Sequence, residues 1–340
     1  MKKKFIQKVS FVKFAGRLLY KLLAVIYPRA VFNKPPPYVI VESSNKCMLN
    51  CPICATNTGM TRKKGEMSLD TFRELLSQIN WHVKMMSFSF AGEPLMNDKI
   101  FDMVYLAKKE KGIESCIETN GMLLGKFIDK VFSSGLKRIN IAFDGMNQAT
   151  IEQYRIGADF EAIKSSITRI CNYKRDNELM YPEIVLQFLV MRQNEGQIND
   201  FIDFAKSLGV NEAIFKSLNL NLGSWMSQDK RNEFGYRYLP LNRNYSRYKK
   251  NGDRLVFSSR LNSLCTYAVK SPVVLWNGDV IICCCDFDGV YKLGNIKEER
   301  LEDILNKPKT IELRLSALKR KLPLCKDCTY SDLFNSYIKF

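Results

Sequence analysis

From residue 38 onward, short runs rich in β-branched and aromatic residues alternate with amphipathic helical patterns, and this alternation strongly constrains the fold. Six runs are predicted to be strands: 38–42, 85–90, 114–118, 138–143, 184–190 and 212–216. Helical patterns lie between them, near 68–80, 98–111, 123–134, 147–175 and 197–208, and Ser68 is the predicted N-cap of the first. Strands separated by helices imply βαβ units and therefore an α/β fold with a parallel sheet, open or barrel-like. The functional loops of such a sheet lie at the carboxyl ends of its strands.

Positive charge is concentrated in two segments of this 340-residue chain, whose formal net charge is +17. Residues 1–36 contain nine basic and no acidic residues, and residues 216–260 contain ten basic and three acidic residues. Such segments indicate an anionic partner, and composition alone leaves open nucleic acid, a membrane surface or an acidic substrate. Nucleic acid is the least favoured of these, because the sequence contains no recognition motif for it.

The amino-terminal arm, residues 1–37, has the pattern of a basic amphipathic helix that ends in three consecutive prolines. Lys13, Arg17 and Lys21 share one helical face. The longest apolar run, 22–27, is much shorter than the ~20 residues that span a bilayer. Two interpretations stay open: a helix docked on the main domain, and an interfacial helix giving peripheral contact with the inner face of a membrane.

The 11 cysteines and the single histidine narrow the possible chemistry, because one histidine cannot build a multi-histidine metal site. Cys47, Cys51 and Cys54 form a CxxxCxxC loop just after the first predicted strand. Three thiolates at this spacing can bind three irons of an iron–sulfur cubane and leave the fourth iron open. A zinc knuckle, which would need a fourth ligand, is the alternative. Such thiolate-rich sites also predict a reducing, cytoplasmic location.

Three further motifs follow predicted strands: Ala91-Gly92-Glu93-Pro94, Thr119-Asn120-Gly121, and Asp144-Gly145 with Arg155 beyond it. Together with the cysteine loop, they resemble the radical S-adenosylmethionine (SAM) enzymes over residues 38–216, with alanine replacing the first glycine of the family's GGEP segment. The resemblance implies SAM-binding residues, namely Gly92, Glu93, Pro94, Thr119, Asn120, Asp144 and Arg155. The family's GxIxGxxE adenine motif is missing, which leaves Ile214 and Phe215 as weak adenine candidates.

The resemblance also implies a partial (β/α)6 radical SAM barrel in which Cys47, Cys51 and Cys54 hold a [4Fe-4S] cluster. In that family, SAM chelates the open iron, and its reductive cleavage yields a 5′-deoxyadenosyl radical that abstracts a substrate hydrogen. A reducing partner such as flavodoxin or ferredoxin is therefore expected.

A second set of cysteines lies near the carboxyl end, and Cys265 with Cys283 resembles the opening of the SPASM extension. A predicted hairpin turn at 276–279 brings these two cysteines together. The set implies one auxiliary [4Fe-4S] cluster, as in shorter twitch-like relatives, with four ligands: Cys265, Cys283, Cys325 and Cys328. Cys284 or Cys285 could replace Cys283, and a structural zinc is the alternative. Cys116 and Cys171 are predicted to be core thiols.

Four regions result: the arm at 1–37, the radical SAM core at 38–216, a basic linker or substrate loop at 217–264, and a small α+β cluster-binding domain at 265–340. The expected function is radical oxidation, or another modification, of a small anionic or lipid-linked, sugar-like substrate, with the auxiliary cluster as electron acceptor. Two alternatives stay open: a SPASM-type maturase of a ribosomally made peptide, and a non-catalytic metal-binding module at a membrane or nucleic acid.

Overall fold

The computed structural model describes residues 36–79, 82–220, 226–258, 264–265, 267–326, 328–329 and 335–340. The basic amphipathic arm predicted for residues 1–37 lies outside the described residues, apart from its last two. No helix among the described residues is long and apolar enough to cross a membrane.

Six consecutive strands form a parallel sheet in chain order, as the alternation predicts. The strands are β1 (Tyr38–Val41), β2 (Met85–Phe88), β3 (Glu114–Thr119), β4 (Arg138–Ala142), β5 (Glu183–Val190) and β6 (Glu212–Ser217). Each observed strand lies within about two residues of its predicted bounds, and most side chains along β1, β2, β4 and β5 are buried in succession, as in a parallel sheet covered on both faces.

Seven helices connect or follow these strands: α1 (Ala55–Thr58), α2 (Leu69–Gln78), α3 (Ile100–Lys111), α4 (Ile128–Ser133), α5 (Gln148–Glu152), α6 (Phe160–Asp176) and α7 (Ile198–Ser207). Ser68 caps α2 as predicted, since its Oγ accepts a hydrogen bond from the Thr71 amide at 3.1 Å. The single helical pattern predicted for 147–175 is wrong. Gly157, at φ +89°, breaks the pattern into two helices, and Asp159 caps the second.

The sheet is open and strongly curved, which confirms the predicted α/β partial barrel. Strands β3 and β6 are separated by β4 and β5, so in a flat sheet they would lie about 14 Å apart. Nevertheless Lys216 Nζ of β6 lies 3.8 Å from Glu118 Oε2 of β3. The concave face therefore encloses a lumen, and Lys216 and Glu118 project into it.

Residues 217–264 are more regular than the sequence predicts, since they contain α8 (Gln228–Tyr238) and a hairpin of β7 (Tyr248–Asn251) and β8 (Arg254–Phe257). The sequence of this region shows no helical or strand periodicity, because α8 buries only a narrow face that includes Gly235 and Tyr238. The hairpin contacts that face through Leu255, next to Gly235.

The carboxyl-terminal elements extend the same sheet at both edges. They are α9 (Tyr267–Lys270), β9 (Val273–Val274), β10 (Asp279–Ile281), β11 (Lys292–Asn295), α10 (Leu301–Asn306), α11 (Pro308–Leu318) and β12 (Asn335–Lys339). Strand β9 pairs in parallel with β1, and β12 pairs antiparallel with β6, so both edges of the parallel sheet are covered. The predicted turn at 276–279 is confirmed, because β9 and β10 are antiparallel and Gly278 has φ +93°.

Candidate active site and cluster sites

A cavity of about 680 Å³ opens at the carboxyl ends of the parallel strands. Its lining contains all ten residues predicted for the first cluster and for SAM: Cys47, Cys51, Cys54, Gly92, Glu93, Pro94, Thr119, Asn120, Asp144 and Arg155. These residues come from five segments of the chain, at 47–54, 92–94, 119–120, 144 and 155, and the first four meet because parallel strands direct their carboxyl ends to one edge of the sheet. The cavity is large enough for a cofactor of this kind.

The CxxxCxxC loop is held by its own backbone, with the Cys54 amide donating to the Cys51 carbonyl at 3.2 Å. Burial raises the pKa of Cys51 to about 12. Among the described residues, one group of three potential metal ligands has all its ligand atoms within 4.8 Å of one another. That group is the cysteines at 283–285, and not the three cysteines of this loop. The three sulfurs of the loop therefore do not converge on one ion. This spread fits a cubane, in which each thiolate binds a different iron.

Glu93 ties the second and third motifs together inside the protein. Its carboxylate accepts hydrogen bonds from Thr119 Oγ1 at 2.7 Å, from the Asn120 amide at 2.7 Å and from the Leu95 amide at 3.0 Å. The side chain is 2% exposed, and although burial raises its pKa, these three donors oppose the rise. The geometry favours a positioning role for this carboxylate, which shapes the loops around the cavity.

The backbone conformation at position 92 requires glycine, whereas the conformation at position 91 accepts alanine. Gly92 has φ +73°, and a Cβ there would lie 2.6 Å from the backbone of Asn45 and Lys46. Ala91 is not among the residues with positive φ, which explains why alanine can stand where the family has glycine. The close approach packs this segment against the start of the cysteine loop.

Asp144 and Arg155 form a buried ion pair, with Arg155 Nε donating to Asp144 Oδ2 at 2.6 Å. The other carboxylate oxygen of Asp144 accepts from the Leu189 amide at 2.7 Å. Burial opposes the charge of Arg155, but the Asp144 carboxylate together with nearby Cys51 and Tyr154 raises the pKa of the guanidinium. Both oxygens of Asp144 are therefore used within the protein, and both residues of the pair line the cavity.

The auxiliary cysteines come together from three segments of the chain. Burial, and after it the nearby thiols of Cys283, Cys328 and Cys265, raise the pKa of Cys325 to about 12. The sulfurs of residues 283–285 all lie within 4.8 Å of one another, and Cys285 Sγ lies 3.8 Å from Cys328 Sγ. Six thiols thus surround this site, two more than a cubane needs. Of the six, Cys284 lines the active-site cavity.

A buried arginine joins the two cysteine regions. Arg62, eight residues after Cys54, pairs with buried Glu42 at the end of β1 and donates from Nε to the Phe287 carbonyl at 2.5 Å. Next to it, the Thr61 amide donates to Asp288 Oδ1 at 2.6 Å. The loop that follows the first cluster site is therefore fixed to the loop that follows residues 283–285.

Several residues of the cavity were not predicted from the sequence. Tyr38, Glu118, Lys216 and Phe287 line it, and all but Phe287 project from strands of the concave face. Glu118 and Lys216 alternate with buried residues along their strands, and this alternation is a signal that the sequence offers. Only the curvature of the sheet shows that the two side chains share one lumen.

Two predicted assignments receive a structural answer. Phe215 packs in the core against Phe188 and Phe201, with ring centroids 6.2 and 5.6 Å apart, and neither it nor Ile214 lines the cavity. Adenine binding by either residue stays a prediction from the sequence. Cys171 is buried as predicted, whereas Cys116 is half-buried and accepts a hydrogen bond from Asn140 Nδ2 at 3.4 Å.

Comparison with known families agrees with this geometry. Residues 41–205 match the model of the radical SAM superfamily, and residues 265–329 match the SPASM iron–sulfur cluster-binding domain. The chain belongs to the radical SAM superfamily. As a radical SAM enzyme with a SPASM-type domain, it uses [4Fe-4S] clusters and SAM as cofactors.

Individual relatives are distant but cover much of the chain. The tungsten-containing aldehyde ferredoxin oxidoreductase cofactor-modifying protein of Pyrococcus furiosus is 23% identical over 319 residues, which are 87% of this chain and 88% of that protein. The GTP 3′,8-cyclase of Listeria monocytogenes serotype 4b is 24% identical over 226 residues, which are 62% of this chain and 66% of the cyclase.

Solved structures share the fold. BtrN in complex with AdoMet and 2-DOIA has a TM-score of 0.56 at 20% identity and covers 87% of this chain and 93% of its own. Streptococcus suis SuiB bound to the precursor peptide SuiA has a TM-score of 0.61 at 14% identity, with coverage of 92% and 74%. These likenesses extend through both the parallel strands and the SPASM-type domain.

Proposed function

We propose that this radical SAM enzyme oxidises, or otherwise modifies, a small anionic, sugar-like substrate, with the auxiliary cluster as electron acceptor. The observation that carries the proposal is one cavity whose lining includes both Cys47, Cys51 and Cys54 of the first cluster site and Cys284 of the auxiliary set. A substrate held between them would be within reach of both cluster sites.

The lumen next to the SAM residues is lined by both apolar and polar side chains, and it carries a cation. Lys216 is about one-third exposed and faces Glu118 at 3.8 Å, which is longer than a hydrogen bond. Tyr38 and Gln187 also line the cavity. Hydroxyl, amide and charged groups at these positions suit a polyhydroxylated molecule with an anionic group better than an apolar one. The lipid-linked form of the proposal depends on the amino-terminal arm, which lies outside the described residues.

The roles of the chain's own residues follow from their contacts. Cys47, Cys51 and Cys54 would hold the SAM-binding cluster, and Cys265, Cys283, Cys325 and Cys328 the auxiliary one. When bound, the cluster and SAM supply a carbon-centred radical that removes a hydrogen atom from the substrate. Glu93 orders the loops on which SAM would rest, and Arg155 offers a positive charge to its carboxylate. Lys216 would bind the anionic group of the substrate.

The names of the relatives support a small substrate. The full-length relative is described as a cofactor-modifying protein, and the cyclases are named for GTP, a small anion. The likeness to SuiB bound to its precursor peptide keeps peptide maturation as the second candidate, because that fold also covers 92% of this chain.

The test is anaerobic turnover of the reconstituted full-length enzyme with SAM, dithionite and a panel of sugar phosphates, nucleoside triphosphates and nucleotide sugars. We expect an anionic compound to raise 5′-deoxyadenosine formation above the substrate-free rate and to be recovered with altered mass. Lys216→Met should abolish this stimulation while the substrate-free cleavage of SAM continues. The matched control is Lys206→Met, on the exposed surface of α7.

Three outcomes would contradict the proposal in different ways. Absence of 5′-deoxyadenosine with both clusters intact would contradict radical catalysis itself. Stimulation that survives Lys216→Met would contradict the assigned role of Lys216. Stimulation by a precursor peptide, with none by the small anions, would favour the maturase.

A further inference from the structure

Three carboxylates line the active-site cavity among the described residues: Glu93, Glu118 and Asp144. Glu93 is buried and accepts three hydrogen bonds from the protein. Asp144 is also buried, and its two oxygens bind Arg155 and the Leu189 amide. Both carboxylates are therefore committed to the structure of the site. Glu118 is the remaining one, and its side chain is 44% exposed.

The position of Glu118 is set by the end of β3. The next two residues are fixed, because the Thr119 hydroxyl and the Asn120 amide each donate at 2.7 Å to the buried carboxylate of the neighbouring motif. Glu118 Oε1 accepts from Asn140 Nδ2 at 3.5 Å, and Oε2 lies 3.8 Å from Lys216 Nζ. The first distance is at the limit of a hydrogen bond and the second is beyond it. Both oxygens can therefore still accept a hydrogen bond or a proton from a bound molecule.

The other side chains of the cavity are poorer proton acceptors. The single histidine of the chain, His82, is not among the described residues that line it. Burial raises the pKa of Tyr38 to about 12, so this phenol keeps its proton at neutral pH. Arg155 and Lys216 are cations, and the thiols belong to the two sets of cluster cysteines. A carboxylate, by contrast, is a common general base in enzymes.

We propose that Glu118 is the general base that removes the hydroxyl proton of the substrate during its oxidation. This role rests on the function proposed above and specifies one form of it, the conversion of a secondary alcohol into a ketone. Once the carbinol carbon has lost a hydrogen atom to the 5′-deoxyadenosyl radical, its hydroxyl becomes much more acidic, and the Glu118 carboxylate takes the proton. The remaining electron is the one that the proposed function assigns to the oxidised auxiliary cluster. The alcohol thereby loses two hydrogens, and its C–O bond becomes a carbonyl.

Glu118 and Lys216 lie side by side, so one substrate can contact both. The ammonium group of Lys216 would bind the anionic group of the substrate, and the Glu118 carboxylate would accept a hydrogen bond from the hydroxyl. An anion bound to Lys216 repels a second negative charge nearby, and this repulsion is relieved when Glu118 takes the proton. The pair therefore accounts for a carboxylate at a site that receives an anion.

The test compares Glu118→Gln and Glu118→Asp with Glu114→Gln in the cluster-loaded, full-length enzyme. Glutamine preserves the shape of glutamate but cannot take the proton, whereas aspartate keeps the carboxylate. Glu114 is the matched control, because it lies on the same strand, its side chain is 35% exposed, and it also pairs with a lysine, Lys108, at 2.7 Å. It is not among the residues that line the cavity.

The probes are the sugar phosphates and nucleotide sugars of the panel above, with deuterium on their carbinol carbons. Mass spectrometry measures deuterated 5′-deoxyadenosine and ketone, and equilibrium dialysis without reductant measures SAM affinity. In Glu118→Gln we expect about 100-fold less ketone, while deuterium transfer stays within about threefold of wild type. Its SAM affinity and iron content should be unchanged. Glu118→Asp should form about tenfold more ketone than Glu118→Gln, and Glu114→Gln should stay within about twofold of wild type.

Ketone formation by Glu118→Gln at the wild-type rate would overturn this role and leave the proposed function intact. A wild-type product that has not lost two hydrogens would also overturn it, because no hydroxyl proton is then removed. Weaker SAM binding by Glu118→Gln would do the same, since the carboxylate would then serve SAM. If wild type transfers deuterium from none of the probes, the proposed function fails, and the role of Glu118 fails with it.

Discussion

Replacing Arg62 by methionine should destabilise the protein strongly and in a pH-dependent way. Arg62 pairs through two nitrogens with the carboxylate of Glu42, and the two side chains are 13% and 0% exposed. Arg62 also donates to the Phe287 carbonyl, and its guanidinium carbon lies 5.7 Å from the centroid of the Phe90 ring. Methionine preserves much of the packing volume but offers none of these hydrogen bonds, so the Glu42 carboxylate is left buried without a counter-charge and keeps only the hydrogen bond from the Trp276 amide.

Removing one partner of a buried ion pair costs about 3–5 kcal/mol in the free energy of unfolding. The upper half of that range is expected here, because Arg62 also contributes the hydrogen bond to Phe287. The matched control is Arg73→Met. Arg73 is 57% exposed and faces Asp70 at 3.9 Å on the surface of α2, so its loss should leave the free energy of unfolding nearly unchanged.

The pH dependence follows from the pKa of Glu42. Burial raises this pKa in the folded protein, and Arg62 lowers it, so the substitution moves the folded-state pKa further above the unfolded-state value. A carboxyl group with a raised folded-state pKa favours folding at low pH, where it is protonated, and opposes folding as pH rises. The difference between wild type and variant should therefore be largest near neutral or alkaline pH and shrink as the pH falls.

The assay is urea unfolding of the apo-protein in anaerobic, reducing buffer at about pH 8 and about pH 5.5. Adding Glu42→Gln to Arg62→Met removes the uncompensated charge and should restore more than half of the lost stability at the higher pH. A loss below about 1 kcal/mol at pH 8, or a loss that grows on acidification, would refute the reasoning, because neither is compatible with a buried carboxylate left unpaired.

Three further predictions concern the active site. Changing Cys47, Cys51 and Cys54 together to alanine should lower the iron content by about four atoms per chain, while the auxiliary absorption remains; zinc in the wild-type protein would contradict the cubane. Glu93→Gln should weaken SAM binding in equilibrium dialysis about tenfold or more, because the glutamine side-chain amide cannot accept hydrogen bonds from all three donors. Unchanged affinity would show that the loops do not depend on this carboxylate. Gly92→Ala should abolish SAM binding at unchanged iron content, since the added Cβ would meet backbone 2.6 Å away; full binding would mean that the loop can move aside.

The order of elements and the first cysteine site were accessible from the sequence. Strand bounds followed from short runs rich in β-branched and aromatic residues, and Ser68 marked a helix start through local chemistry that needs no tertiary context. Motif residues at the ends of successive strands were predicted to meet, and one cavity lines all of them. Regular structure at 217–264 was missed, because α8 and its hairpin owe their stability to contacts with each other and carry little periodic signal.

The sequence by itself determined what is local or periodic: the alternation of strands and helices, the spacing of Cys47, Cys51 and Cys54, and the excess of positive charge in two segments. Tertiary structure alone decided what depends on curvature and on pairing between distant segments. The curvature brings Lys216 to Glu118, pairing of β9 with β1 places Cys284 at the active-site cavity, and Arg62 joins the two cysteine loops. The pair across the lumen links residues about 100 positions apart, and the hydrogen bond from Arg62 to Phe287 links residues 225 positions apart. No local pattern encodes such contacts, because they are set by the packing of the whole sheet.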